Sequence, residues 1–387
     1  MAIQRVTIFE FAPTADEIWC IPRHDKDGYV RYDAATGLLS ILDTAHDTKL
    51  RPEIITNYAG GKATNVARML DRLLVDEDEP YVELITFLPP PPEGSLRELE
   101  LGNSGDVSLR PSTAAGIYIQ CLQIAALRRV KPHFEVVDEL EASGKMQTTR
   151  SCIEITLKEG SGSLNFSPRM VWSQKAADAV LSRVAEVARD ADLLVMAGSP
   201  PTWETQPGAH LTPLSFYARV MDAISPDCHV SIDSRGRFLH DCFTSQRSPR
   251  FAFMNMDEFG DLAGSWEQLS ERAFTGTLLV HDKRGCWMWD ANLPDRADSF
   301  SEAKFYPSMD VPKVYSTIGA GDAMHAGFLK EWICSKADAP REERLKRAAV
   351  YSQIVAGFAV SNEKATHGID AQEVENRFRK IWNHEFH

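Results

Sequence analysis

No run of apolar residues in this chain is long enough to cross a bilayer, so a membrane-spanning helix is not expected. Basic charge is also in short supply. Lys and Arg number 42 against 55 Asp and Glu, a net charge of −13. A surface for nucleic acid or anionic membrane, which draws on clustered cations, is therefore not expected. The seven cysteines are scattered, without a C-x-x-C pair or a Cys/His grouping at zinc spacing. That pattern fits reduced thiols in a cytoplasmic protein rather than a disulfide framework. There is no G-x-x-x-x-G-K-[ST] loop, which sets aside the P-loop class, and no G-x-S-x-G elbow to carry a hydrolytic triad. The opening stretch to Phe11 is strand-like, holds Arg5 and Glu10, and is too short and polar for a signal peptide.

What is present is 387 residues of 43% hydrophobic composition, enough to bury a large core. A single domain over 1–387 is expected. Short apolar strands are expected at Val6–Phe11, Tyr81–Phe87, Leu193–Ala197, His229–Asp233, Arg250–Met254 and Leu278–His281. The later ones alternate with helical stretches, which implies an α/β fold with a mostly parallel sheet and helices on both faces. From about Glu17 to Thr56 this rhythm breaks, with short β-type pieces near Gly28–Tyr32 and Leu38–Leu42 and with Asp16 in the preceding loop. Ser151–Lys158 alternates as an amphipathic strand, and four prolines, Pro89 to Pro92, open a surface insertion over about 88–112.

Two segments carry chemistry. Val311–Tyr315 reads as the end of a strand that leads into Ser316-Thr317-Ile318-Gly319-Ala320-Gly321-Asp322, and a helix follows. Backbone N–H groups at a helix N-terminus attract an anion, and glycine lets the backbone approach it closely. Asp322 then stands where it can take the proton of an attacking hydroxyl, with Gly319, Ala320 and Gly321 as the anion hole. Earlier in the chain, Asn57-Tyr58-Ala59-Gly60-Gly61-Lys62-Ala63-Thr64-Asn65 is a second strand, Gly-Gly turn and helix start. The residues alone leave open a plain glycine-rich connection whose Asp caps a helix.

The two segments together resemble the ribokinase-like sugar kinases of the phosphofructokinase B family. That family carries Gly-Gly-x-x-x-Asn-x-Ala near its N-terminus and Asp-Thr-x-Gly-Ala-Gly-Asp near its C-terminus; here Ser316 replaces the first Asp. The Gly-Gly-Lys-x-x-Asn-Val-Ala-Arg-x-Leu form, followed by Ala-Gly-Ser-Pro-Pro at Ala197–Pro201, is most similar to the branch acting on phosphorylated hexoses, such as 1-phosphofructokinase and tagatose-6-phosphate kinase. The resemblance runs from about Thr7 to Gly368. It implies a three-layer α/β/α sandwich with a small β-sheet lid, contributed by about 17–58 and 149–168. It also implies a carbohydrate kinase using ATP and Mg²⁺, and an assembly expectation of a homodimer joined through the lid.

Carried over by position, the resemblance makes Asp16, Gly60, Gly61 and Asn65 the contacts to a sugar. A phosphorylated acceptor needs added cations, and Lys49, Lys62 and Arg150 stand at suitable places. On the donor side Asn255 and Glu258 match the Asn-x-x-Glu motif that organises magnesium and phosphate through water. Thr317 and Gly285 are expected to line the nucleotide. The chain departs from the family at Ala12, Phe253 and Asp282. His325 is read as a core or helix-surface residue, and Asp233 either lines the cleft or caps a helix. Two alternatives stay open: a kinase of an unphosphorylated sugar or nucleoside, and a sugar-binding regulator with weakened catalysis.

Overall fold

The computed structural model describes residues 3–21, 30–33, 38–41, 54–75, 80–89, 121–122, 125, 127–140, 150–157, 163–166, 171–205, 210–244, 247–262, 274–292, 303–336, 338–362 and 368–385. The first half contains strands β1 (Arg5–Glu10), β2 (Thr14–Ile21), β3 (Val30–Asp33), β4 (Leu38–Ile41) and β5 (Ile54–Gly60), then helix α1 (Lys62–Leu73). Strands β6 (Tyr81–Leu88), β7 (Val130–Val136), β8 (Arg150–Leu157) and β9 (Ser163–Phe166) follow. Next come α2 (Gln174–Val187), β10 (Leu193–Ala197), α3 (Phe216–Ala223), β11 (His229–Asp233) and α4 (Gly236–Thr244). The chain continues with β12 (Phe251–Asn255), α5 (Met256–Gly260), β13 (Thr277–Asp282), β14 (Gly285–Asp290) and β15 (Lys304–Pro307). It closes with α6 (Ala320–Cys334), α7 (Arg341–Val360) and α8 (Ala371–Glu385).

The main sheet runs β15-β14-β13-β12-β11-β10-β1-β6-β7. It is parallel from β7 through β13 and ends in two antiparallel pairings, β13 with β14 and β14 with β15. Strand side chains alternate between faces, and the core divides accordingly. Leu193, Val195, Phe251 and Phe253 pack with α1, α6, α7 and α8, whereas Leu194, Met196, Ala252 and Met254 pack with α2, α3 and α4. Three layers result. A second sheet, β5-β2-β8-β9, carries β5 straight into α1 and lies in the segments expected for the lid; β3 and β4 pair antiparallel.

Two expectations change. Asp16 is in strand β2, not a loop, because the ladder opposite Tyr58 of β5 and Cys152 of β8 already includes it. Val311–Tyr315 is not a strand end. The chain leaves the sheet after β15 and passes across to α7, where the Tyr315 N–H donates to the Val360 carbonyl at 2.8 Å; Pro312 has no N–H to offer a ladder. Most of the 88–112 insertion, and Lys49, lie outside the described residues. Cys121, Cys228, Cys242, Cys286 and Cys334 are free thiols, and among the described residues no helix is long and apolar enough to cross a membrane.

Candidate active site

Helices α1 and α6 begin side by side beyond the carboxyl ends of the central strands, the place where parallel sheets bind ligands. α1 starts because β5 ends in Gly60-Gly61, with Gly61 at φ 107°. Only glycine fits there, since a Cβ on Gly61 would stand 2.3 Å from Glu10 Oε2. The fully buried Glu10 carboxylate accepts from the Thr64 N–H and hydroxyl, both at 2.9 Å, and from the Ala12 N–H at 2.9 Å. It thereby fixes the β1–β2 corner against the first turn of α1.

α6 starts on Gly319, which is left-handed at φ 77°. Before it, the Ser316 hydroxyl accepts from the Ile318 N–H at 3.1 Å. That is the local turn bond an Asp would make in the same place, so the departure from the family signature preserves the loop. Ala320 N–H donates to the Thr317 carbonyl at 3.3 Å and Ala323 N–H to Gly319 at 2.8 Å. The N–H groups of Gly319, Gly321 and Asp322 have no acceptor among the described residues. Thr317 is exposed on this loop.

Beyond their shared core packing, a hydrogen bond joins the two helices: Asn65 Nδ2 donates to Asp322 Oδ2 at 2.8 Å. Asp322 is 5% exposed. On the opposite flank, Lys62 Nζ lies 3.1 Å from Asp233 Oδ1 and 3.5 Å from Glu258 Oε1. Glu258 also takes part in a reciprocal cap of α5, in which it accepts from the Asn255 N–H at 3.0 Å while the Asn255 side chain accepts from the Glu258 N–H at 2.8 Å. Lys62 therefore joins the acceptor-side turn to the Asn255/Glu258 motif and to Asp233.

A small-residue loop, a buried carboxylate and a lysine-linked acidic pair thus lie together at one end of the sheet. Residues 138–371, more than half of the chain, match the model of the pfkB family carbohydrate kinases. The chain belongs to that family. Solved structures agree on the fold. Escherichia coli phosphofructokinase-2 in complex with substrates and products superposes with a TM-score of 0.62 at 15% identity, over 98% of this chain and 99% of that one. Methanocaldococcus jannaschii nucleoside kinase gives 0.56 at 16% identity over 98% and 99%. Ribokinase from Giardia lamblia gives 0.57 at 12% over 97% and 99%. No curated protein matches by sequence.

The electrostatics of this sugar kinase's cleft centre on Asp322. Burial pushes its carboxyl up to about 7; Lys62 and the Asn65 hydrogen bond oppose the rise, while Asp233 and Glu10 add to it. Burial acts to lower the Lys62 ammonium, but Asp233, Glu258 and Asp322 more than reverse this and hold it above its ordinary range. Asp233 is held low despite burial, chiefly by Lys62.

Gly60, Gly61, Lys62, Asn65, Asn255, Glu258, Gly319, Ala320, Gly321 and Asp322 thus gather at one end of the sheet. Asp16 and Arg150 enter through the backbone of the lid, Asp16 on β2 and Arg150 opposite Thr14. Gly285 opens β14 at φ 149°, where a Cβ would stand 2.1 Å from the Tyr306 carbonyl of β15, so the sheet accounts for its being glycine. His325 is a core residue: it is fully buried, packs tilted against Phe253 at 4.2 Å between ring centroids and lies 2.7 Å from the Ser231 hydroxyl. Burial takes its imidazole down to about 4.

Sequence reasoning passed over two residues. Glu10 is a carboxylate that follows the apolar Ile8-Phe9 pair at the end of β1, and that was its signal. His281, at the end of β13, puts its ring 3.3 Å from where a Gly321 Cβ would be. Its imidazole is lowered by burial and by Lys62, against the pull of Asp233.

Proposed function

We propose that this carbohydrate kinase transfers the γ-phosphoryl group of ATP to a hydroxyl of a sugar or sugar phosphate, with a hexose phosphate favoured, in a Mg²⁺-dependent reaction. Asp322 carries the reading. It is the buried carboxylate bonded to Asn65 of the acceptor-side turn while standing on the first turn of the helix whose Gly321 and Asp322 N–H groups have no acceptor among the described residues. A carboxyl raised toward neutrality by burial is a stronger base than an ordinary Asp, and is still largely ionised at slightly alkaline pH.

In this reading Gly60, Gly61, Asn65 and Asp16 orient the acceptor, and Asp322 takes the proton of its hydroxyl as that oxygen bonds to phosphorus. The bond from phosphorus to the leaving ADP oxygen breaks in the same step. The loop from Thr317 to Gly321 receives the charge that develops on the phosphoryl oxygens. Mg-ATP supplies the phosphoryl group and screens its charge. The protein's fit to the metal is indirect: no group of three or more His, Cys, Asp or Glu among the described residues could hold an ion, and Asn255 and Glu258 cap each other. Mg²⁺ keeps several waters and takes few protein ligands beside substrate phosphates, which suits that pair acting through water.

The phosphorylated acceptor rests on Arg150 and Lys49 more than on Lys62, whose ammonium already faces two carboxylates. That pairing favours, as a second reading, an uncharged acceptor such as a free sugar or nucleoside. The test is ADP release from Mg-ATP across a panel of sugars, nucleosides and sugar phosphates, followed by calorimetry on Arg150→Ala. Loss of roughly 1.5–3 kcal/mol for the sugar phosphate alone is expected. Equal losses for charged and neutral ligands would select the second reading, and no turnover with any member would overturn both.

A further inference from the structure

At the amino ends of the central strands, across the sheet from Asp322, three guanidinium groups gather around one indole. Arg344 Cζ lies 3.9 Å from the Trp332 ring centroid, and Arg250 and Arg341 each lie 5.6 Å from it. Arg250 immediately precedes β12. Trp332 ends α6, while Arg341 and Arg344 stand on the first turn of α7, where the helix already places positive partial charge.

Among the described residues, the carboxylate beside them is already engaged. Asp290, at the end of β14, receives Arg341 in a two-pronged bond at 2.7 and 3.0 Å, and Arg341 also reaches the Thr277 hydroxyl at 3.2 Å. Arg344 donates to the Ser335 hydroxyl at 2.9 Å and to the Trp332 carbonyl at 3.1 Å. Arg250 makes no side-chain hydrogen bond or ion pair among the described residues, and its Nε is buried without a partner. Its guanidinium is pulled down to about 10 by burial and by the charges of Arg341 and Arg344, with Asp290 opposing. A nearby guanidinium, Arg247, shows the ordinary solution: it donates to the carbonyls of Met221 at 2.7 Å and Ile224 at 3.3 Å, and also to that of Cys228.

Burying an unpaired polar group is costly, and a planar fork of N–H donors left open beside two further cations fits an oxyanion better than any neutral molecule. We propose that Arg250, with the remaining donors of Arg341 and Arg344, forms a second anion site that takes a phosphoryl dianion, either inorganic phosphate or a phosphate monoester. This site is separate from the catalytic loop and independent of the kinase reading.

The test is equilibrium binding rather than turnover. Inorganic phosphate is titrated against the wild type, Gly321→Val, Arg250→Gln and Arg344→Gln, following the thermal midpoint at ionic strength matched with chloride. Gly321→Val removes the contribution of the catalytic loop. The wild type and Gly321→Val are expected to gain stability with phosphate beyond chloride, and Arg250→Gln to bind it at least about tenfold more weakly, as loss of a charged donor implies. Arg344→Gln tests the same site if Arg250→Gln does not fold. A second arm with a hexose monophosphate distinguishes the sources: binding of both ligands assigns phosphorylated metabolites, and binding of phosphate alone assigns the free ion. Identical titrations of wild type and both arginine variants, or no phosphate effect beyond chloride, would overturn the proposal.

Discussion

The N-termini of α1 and α6 are built alike, and they are filled differently. Each follows a glycine with positive φ, each lacks a side-chain cap, and the two helices touch through Asn65 and Asp322. At α1 the chain supplies its own anion: Glu10 lies on Thr64 and against Gly61, where no side chain fits. At α6 the N–H groups of Gly319, Gly321 and Asp322 have no acceptor among the described residues. The same helix-end field therefore does structural work in one place and is open to a ligand's charge in the other. What decides between them is whether a neighbouring strand delivers a carboxylate to the turn.

That contrast breaks most sharply at Asp322. Asp322→Asn keeps the shape and the contact with Asn65 but cannot take a proton, so kcat should fall roughly 10²- to 10⁴-fold. Acceptor affinity, read by calorimetry, should change little. Near wild-type turnover on the true substrate would remove Asp322 from the chemistry.

Glycine substitutions should separate the two turns. Gly321→Val presses on His281 and misaligns the loop, and is expected to lower kcat per folded molecule by about 10²-fold or more, as removal of one oxyanion donor does. Gly61→Ala should instead damage folding, because its Cβ meets the Glu10 carboxylate at 2.3 Å. Melting temperature and turnover measured on both variants give the comparison. If Gly321→Val lost only stability, the α6 turn would be as structural as the α1 turn.

Glu10→Gln keeps the size and removes the charge from the α1 end. A loss of about 1–3 kcal/mol is expected, the usual cost of weakening a buried charged hydrogen-bond set. Chemical denaturation measures it, and kcat per folded molecule should stay within a few-fold of wild type. A stable Glu10→Gln enzyme with abolished turnover would mean that Glu10 belongs to the chemistry after all.

The smallest effects are in pH dependence. The Asp322 carboxyl is raised from 3.8 to about 7, so kcat/KM should climb with pH and level off above about 7. Lys62→Met removes the main charge opposing that rise, and the climb should move to higher pH. A profile that does not move would detach Lys62 from Asp322. Stability carries the opposite sign. A group whose folded pKa exceeds its unfolded one binds more protons when folded, so stability falls as pH rises from about 4 to about 7 and is flat above. Asp322→Asn should flatten that slope in thermal melts, another sign of a buried charge kept for chemistry.

Local pattern made much of this protein legible in its sequence. Leu193–Ala197 and His229–Asp233 are strands with the expected bounds, since a short apolar run between polar turns fits little else. Both glycine turns are visible because positive φ leaves few residues to choose from. The paired strands β14 and β15 were not foreseen, nor was β7, whose buried and open positions do not alternate cleanly. Val311–Tyr315 has strand-like residues but no pairing strand among the described residues, and a strand exists only by pairing.

The chain by itself determined the class of fold, the family, and the residue types at the turn: small residues, one Asp, one Asn, one Lys. These follow from backbone conformation and hydrophobic period, which are properties of neighbours in sequence. Tertiary structure alone decided who meets whom. It put Glu10 under Gly61, linked Lys62 to Asp233 and Glu258 across intervals of 171 and 196 residues, and left the Arg250 Nε, beside two further arginines, with no hydrogen-bond partner among the described residues. Charge and burial act through space, so a carboxylate's role as filler, ion-pair partner or base is set by the surroundings that folding brings to it.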